Sequence, residues 1–174
     1  MRHITTHSPQ MTLPGSGRQD HPSEVPDPAL EAEALFVYGS LLFPEVLRIL
    51  IGRVPDRTPA TALGWRVAAL PDRAYPVLVP GEDTVAGQLI TGLSADEWRI
   101  LDAFEDPVYE LHRLTLADGR QGLAYVSSDA DGTLPEDWST ESFAAHGLAA
   151  YLESCAAWRR RYDTTNRMTG SGRG

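Results

Sequence analysis

The chain has 174 residues, 42% of them hydrophobic, and a formal net charge of -9 at pH 7. This length predicts one domain with flanking tails and a buried core. The acidic balance argues against nucleic acid or an anionic membrane surface as a partner, and no apolar run approaches the length of a membrane span.

The lack of lysine and the single cysteine exclude several kinds of catalytic and structural chemistry. The chain contains no lysine, so all 15 basic residues are arginine. This excludes Schiff-base chemistry, attachment of pyridoxal phosphate and a phosphate-loop lysine. Cys155 is the only cysteine, which excludes an internal disulfide framework. Since the N-terminus also lacks the features of a signal peptide, we expect a reducing, cytoplasmic location.

The composition divides the chain into three parts. Residues 1–33 are rich in Ser, Thr, Pro, Gly and His and show little periodicity, which predicts a disordered leader. Residues 34–163 form the compact unit, without an internal repeat. Residues 164–174 end in a Gly- and Ser-containing stretch and predict a second loose tail.

The first elements of the compact unit are a strand and a helix. Leu35–Tyr38 predicts a buried strand that ends in a glycine turn. Pro44–Leu50 predicts a short helix, with proline near its start and Gly52 just past its end.

Later segments predict more strands and a long helix. Gly87 interrupts one of these strands, which indicates a bend or a close backbone approach. Asp118-Gly119 is a strong hairpin turn signal. The predicted strands are Ala62–Leu70, Thr84–Ile90, Arg113–Leu116 and Gly122–Val126, and the predicted helix is Phe143–Tyr162.

A helix with a clear start signal is predicted just before Glu105. Ser94 and Glu97 have the spacing of a capping box, so the helix is predicted to begin at Ala95. Trp98 and Leu101 then define its buried stripe.

Glu105 follows on this helix and has two interpretations. At roughly 100° per residue it falls about 20° from Trp98, inside the buried stripe, where desolvation raises a carboxyl pKa toward a range useful for proton transfer. Alternatively, Glu105 is the frayed last residue turned to solvent, since Pro107 stops the helical pattern.

The turn after the first strand also has two interpretations. A strand followed by Gly39-Ser40 can be an ordinary turn. In the functional interpretation, Gly39 lets the backbone approach a ligand while successive N–H groups face an anion such as a carboxylate.

The other potentially reactive side chains do not predict a metal site or a nucleophile. Outside the leader the histidines are His112 and His146, and neither has metal-ligand spacing with Cys155 or an acid, so no metal site is predicted. Cys155 lies on the apolar side of its helix and is interpreted as a small core residue rather than a nucleophile. Ser40 lacks the adjacent base that an acyl-forming nucleophile needs.

Several of these segments follow one another in a characteristic order. They are residues 36–41 (FVYGSL), 75–81 (YPVLVPG), 85–89 (VAGQL) and 101–106 (LDAFED), followed by Tyr109. In this order they resemble the gamma-glutamylcyclotransferase-like family, which includes the avirulence-induced plant proteins and the gamma-glutamylamine cyclotransferases. The resemblance covers residues 35–126.

The resemblance implies an α+β fold, a small mixed β-barrel flanked by helices with a cavity at one end. It implies that Glu105, in the Phe-Glu element, is the acid and base. It assigns substrate binding to Tyr38, Gly39, Ser40, Leu41 and Tyr109. Many members have an arginine two residues after the last tyrosine; this chain has Leu111 there and Arg113 two residues further on.

The function implied is a cofactor-free cyclotransferase. It would convert a small gamma-glutamyl compound to 5-oxoproline and release an amine. The alternative is a non-catalytic module that keeps the barrel and binds a metabolite or a protein. The sequence carries no signal for an oligomeric state.

Overall fold

The fold comes from a computed structural model that describes residues 4–6, 32–105, 109–127 and 132–170. Within these ranges the chain forms one mixed sheet with helices packed against it. The strands are β1 (Ile4–Thr6), β2 (Leu35–Val37), β3 (Arg57–Ala68), β4 (Val77–Ile90), β5 (Glu110–Thr115) and β6 (Gln121–Val126). The helices are α1 (Pro44–Ile51), α2 (Ala95–Phe104), α3 (Thr140–His146) and α4 (Leu148–Gly170).

The sheet has the strand order β1-β5-β6-β2-β4-β3, and β4 also pairs with β6. It curls far enough for the β5–β6 turn to reach β3, where the Ala117 amide donates to the Thr61 carbonyl at 2.8 Å. The predicted α+β class is confirmed. The sheet is strongly curled rather than closed, because the edge strands β1 and β3 share no ladder within the described ranges.

Strand β2 is buried on both faces of the sheet, which explains why its sequence is wholly apolar. Side chains alternate along a strand, so Leu35 and Val37 face the core beneath the helices, whereas Phe36 and Tyr38 face the inside of the curl. A strand that is buried on both faces has no solvent side on which to place polar residues. The predicted buried strand is thereby confirmed.

The helix boundary signals are confirmed. Pro44 occupies the first turn of α1, and Gly52 ends it in the left-handed region at φ 78°. The capping box of α2 is formed: the Ser94 hydroxyl accepts from the Glu97 amide at 3.2 Å, and the Ser94 amide donates to the Glu97 carboxylate at 2.9 Å. Arg53 reinforces this start by donating to the same carboxylate at 2.7 Å.

Strands β3 and β4 are longer than predicted and pair antiparallel from Arg57 opposite Ile90 to Ala68 opposite Val77. Their register shifts near Gly64, where φ is 82°. The close approach predicted at Gly87 is confirmed, because a Cβ there would lie 2.8 Å from the Phe36 ring.

The chain after residue 140 differs from the predicted single helix. Gly147 separates α3 from α4, and its amide donates to the Phe143 carbonyl at 2.8 Å. Glycine has weak helix propensity, which suits it to such a break. The helix also continues through the predicted loose tail as far as Gly170. Propagation adds one hydrogen bond per residue, and the Thr164 hydroxyl donates to the Arg160 carbonyl at 2.9 Å.

Part of the predicted leader lies in the sheet. Ile4–Thr6 pairs parallel with β5, with Ile4 opposite Leu111. These β-branched residues favour a strand conformation. The other residues of the leader before 32, and residues 171–174, lie outside the described ranges, so the domain division stays a prediction. Among the helices that the structure describes, none has the length and apolar character needed to cross a bilayer.

Candidate active site

A cleft that is partly open to solvent lies where β2 ends. It contains every site residue predicted from the sequence. Its lining combines the end of β2 and the following loop with the residue before β4, the end of α2, the residue before β5 and one residue of β6. The lining residues are Phe36, Val37, Tyr38, Gly39, Ser40, Leu41, Pro76, Glu105, Tyr109 and Tyr125.

One wall of the cleft is the loop that follows β2. After Gly39 the chain enters a short 3-10 helix, Ser40–Leu42, in which the Leu42 amide donates to the Gly39 carbonyl at 3.0 Å. The amides from Gly39 to Leu41 precede this bond, so the turn itself supplies no acceptor for them. A Cβ on Gly39 would lie 2.7 Å from Pro76 Cγ, so only glycine lets the loop lie this close to Pro76.

Glu105 enters the cleft from the end of α2. It is the residue just past the helix, with φ -67° and ψ 142°, and its amide donates to the Leu101 carbonyl at 3.1 Å. It is partly buried and lines the cleft. Glu105 therefore ends the helix, as one interpretation held, but is partly buried rather than turned to solvent, and its raised pKa stays a prediction. The fully buried Trp98 and Leu101 anchor α2 so that its end is directed here.

Buried tyrosine hydroxyls brace the inner wall. The Tyr38 hydroxyl donates to the Tyr125 carbonyl and accepts from the Leu78 amide at 3.2 Å. The Tyr109 hydroxyl donates to the Pro76 carbonyl. Burial raises the pKa of Tyr38 and of Tyr109 well above the usual value, and the negative charge of Glu105 raises both further. Both phenols therefore stay neutral hydrogen-bond donors at physiological pH.

A side chain from α4 contacts the back of the loop. The Tyr151 hydroxyl lies 3.0 Å from the Ser40 hydroxyl. Burial raises the pKa of Tyr151 above its usual range and that of Cys155 to about 11. Cys155 is fully buried, which confirms its predicted role as a small core residue.

Pro76, Tyr125 and Tyr151 belong to the cleft or its support and were not predicted as site residues. Pro76 stands inside one of the segments that carry the family resemblance, and Tyr125 lies on a predicted strand. The positions of Pro76 and Tyr125 in the sequence could therefore have indicated that they belong to the site. Tyr151 offered no such signal, since its partner Ser40 is 111 residues away in the chain.

The remaining candidates lie elsewhere. Leu111 is buried in the core beneath the helices, and Arg113 donates to Glu33 at 2.8 Å, so neither lines the cleft. The His112 ring bonds Glu110 at 3.1 Å. Across the described ranges, no group of three or more His, Cys, Asp or Glu side chains is arranged to hold a metal ion.

The chain is similar to known proteins in sequence and in fold. Residues 35–140 match the family described as "Gamma-glutamyl cyclotransferase, AIG2-like". The chain is 37% identical over 119 residues to "AIG2-like protein C" of Arabidopsis thaliana, covering 64% of this chain and 69% of that one. It is also 37% identical over 135 residues to "AIG2-like protein A" of the same plant, covering 72% and 81%. The solution structure of another Arabidopsis thaliana protein superposes with a TM-score of 0.54 at 28% identity, covering 72% of this chain and 89% of that one.

Proposed function

Because the chain belongs to the gamma-glutamyl cyclotransferase, AIG2-like family, we propose that it converts a gamma-glutamyl compound to 5-oxoproline and a free amine. Glu105 is the general acid and base of this reaction. The observation that carries the proposal is that Glu105 and the loop from Tyr38 to Leu41 line one cleft. A carboxylate and a row of backbone amides are complementary to the ammonium and the carboxylate of a glutamyl group.

The reaction needs no group from outside the substrate other than a proton carrier. Glu105 takes a proton from the α-ammonium, and the resulting amine attacks the side-chain carbonyl to close a five-membered ring. The amide bond then breaks, and Glu105 returns its proton to the departing nitrogen. The second proton of the ring nitrogen passes to solvent, and the released amine takes one up, so protons balance.

Positioning supplies much of the rate. Well-oriented intramolecular reactions reach effective molarities of about 10⁵–10⁸ M. In this proposal the amides of Gly39, Ser40 and Leu41 bind the α-carboxylate, which turns the amine toward the side-chain carbonyl. The loop is held in place for this task by Pro76, which leaves no room for a side chain at position 39.

The walls around the reacting atoms keep a constant charge. Tyr38 and Tyr109 are buried, and the raised pKa of each leaves its hydroxyl neutral across the physiological range. Glu105 is then the cleft-lining residue that exchanges a proton in this mechanism. General acid–base catalysis of this kind contributes about 10²–10⁴-fold in rate.

The test is a panel of gamma-glutamyl amines, amino acids and peptides, with 5-oxoproline measured by chromatography for wild type and Glu105→Gln. The amide keeps the size of the side chain but cannot carry the proton, so we expect kcat to fall by about 10²–10⁴-fold with KM changed little. Glu153→Gln is the matched control, because it makes the same change on the exposed face of α4 and should leave both constants unchanged.

The outcomes separate the alternatives. Full product release by Glu105→Gln would assign the proton transfer to another group. If wild type releases no 5-oxoproline from any member of the panel but binds one of them by calorimetry, the non-catalytic binding module is the correct function.

A further inference from the structure

We infer that Tyr151 of α4 is a positioning residue of the cleft, and that its hydroxyl fixes the Ser40 loop in the conformation that binds the substrate carboxylate. This inference rests on the proposed function for its kinetic consequence. Its structural consequence does not rest on the proposed function, because the contact of 3.0 Å between the Tyr151 and Ser40 hydroxyls is part of the fold itself.

Three aromatic side chains pack against the Tyr151 ring. Its centroid lies 5.4 Å from that of Phe143, 6.3 Å from that of Phe104 and 6.4 Å from that of Tyr75. The first two contacts are edge-to-face, the favoured geometry for aromatic pairs. A ring held in this way cannot follow a moving loop, so the hydroxyl at its end is a fixed point to which the Ser40 hydroxyl is bound.

Helix α4 lies outside the region that carries the family match. That match ends at residue 140, whereas α4 begins at Leu148. The cleft-lining residues all lie within the match. Tyr151 therefore adds a support that the matched region does not contain, and α4 acts on the site as well as covering the core.

The kinetic test compares Tyr151→Phe, Ser40→Ala and the double variant. The phenylalanine keeps the ring contacts and removes only the hydroxyl. The loop binds the carboxylate and thereby orients the amine, so a looser loop both weakens binding and slows ring closure. We therefore expect kcat/KM to fall about three- to tenfold, with both kcat and KM changed. The double variant should be no worse than the poorer single variant, since both remove one interaction.

The control is Tyr162→Phe, the same change on the same helix at a ring that stacks on Trp158. It should leave both constants unchanged. Additive effects of Tyr151→Phe and Ser40→Ala, or equal constants for Tyr151→Phe and Tyr162→Phe, would overturn the inference.

Hydrogen exchange followed by NMR tests the same inference without any substrate. The amides of Leu42 and Phe43, which close the loop onto Gly39 and Ser40, should exchange about three- to tenfold faster in Tyr151→Phe and at the wild-type rate in Tyr162→Phe. If wild type proves inactive on the panel, the proposed function fails, and this measurement alone decides the inference. Equal exchange in the two variants would refute it.

Discussion

Replacing Tyr38 by phenylalanine removes the two hydrogen bonds that join the cleft wall to β4 and β6. The ring stays in the inner core, where its centroid lies 6.5 Å from that of Phe36. Only the hydroxyl is lost. With it go the acceptor of the Leu78 amide, at 3.2 Å, and one donor to the Tyr125 carbonyl.

The magnitude follows from burial. Both bonds lie in the protein interior, so water does not replace the missing hydroxyl. A buried amide left without its acceptor costs about 1–3 kcal/mol, and the lost donor adds about 0.5–1.5 kcal/mol. No cavity term is added, because the ring remains. We therefore expect the free energy of unfolding to fall by about 2–4 kcal/mol, a large share of the roughly 5–15 kcal/mol typical of a domain.

Urea unfolding followed by tryptophan fluorescence measures this change. The midpoint should fall while the slope of free energy against urea stays constant, since the exposed surface on unfolding is unchanged. Tyr162→Phe is the matched control and should lie within about 0.5 kcal/mol of wild type. A loss below about 0.5 kcal/mol for Tyr38→Phe would refute the reasoning, because it would mean that the amide and the carbonyl find other partners.

Two further predictions concern titration. Burial raises the pKa of Tyr38, Tyr109 and Tyr151, so the folded state holds these protons more tightly than the unfolded chain does. This contribution to the free energy of unfolding is complete below about pH 10. It is lost as the pH rises above that value, at up to about 4 kcal/mol per pH unit for three groups. Urea unfolding between about pH 9 and 12 measures the loss, and a free energy of unfolding that does not change over this range would contradict the prediction. Burial raises the pKa of the Cys155 thiol from 9.0 to about 11. At pH 8 an aromatic disulfide reagent should therefore label Cys155 at least about a hundredfold more slowly in native protein than in unfolded protein. Equal labelling rates would contradict the burial of Cys155.

Signals that act within a few residues were predictable. The capping box of Ser94 and Glu97 and the left-handed Gly52 each depend on neighbours one turn away, and the structure confirms both. Gly119, at φ 89°, confirms the hairpin turn in the same way. The candidate site residues came from the order of short segments along the chain, so they could be named without knowing how they meet.

What depends on distant partners was not predictable. Strands β3 and β4 extend through positions such as Pro59 and Pro80 that disfavour a strand locally, because each strand supplies the other with a partner. Gly147 lies in a stretch whose apolar spacing predicts an unbroken helix, and the sequence alone does not show that the chain ends one helix there. Tyr151 looks like any apolar helix residue until the fold brings Ser40 to it.

The separation of these contacts along the chain also affects folding during synthesis on the ribosome. Tyr38 bonds a residue 87 positions later, and Ser40 bonds one 111 positions later. A nascent chain therefore lacks the cleft until Tyr125 has been synthesised, and it lacks the contact that supports Ser40 until Tyr151 has been synthesised. Until then the apolar faces of β2 stay uncovered. Such late, non-local closure slows folding and exposes the intermediate to aggregation.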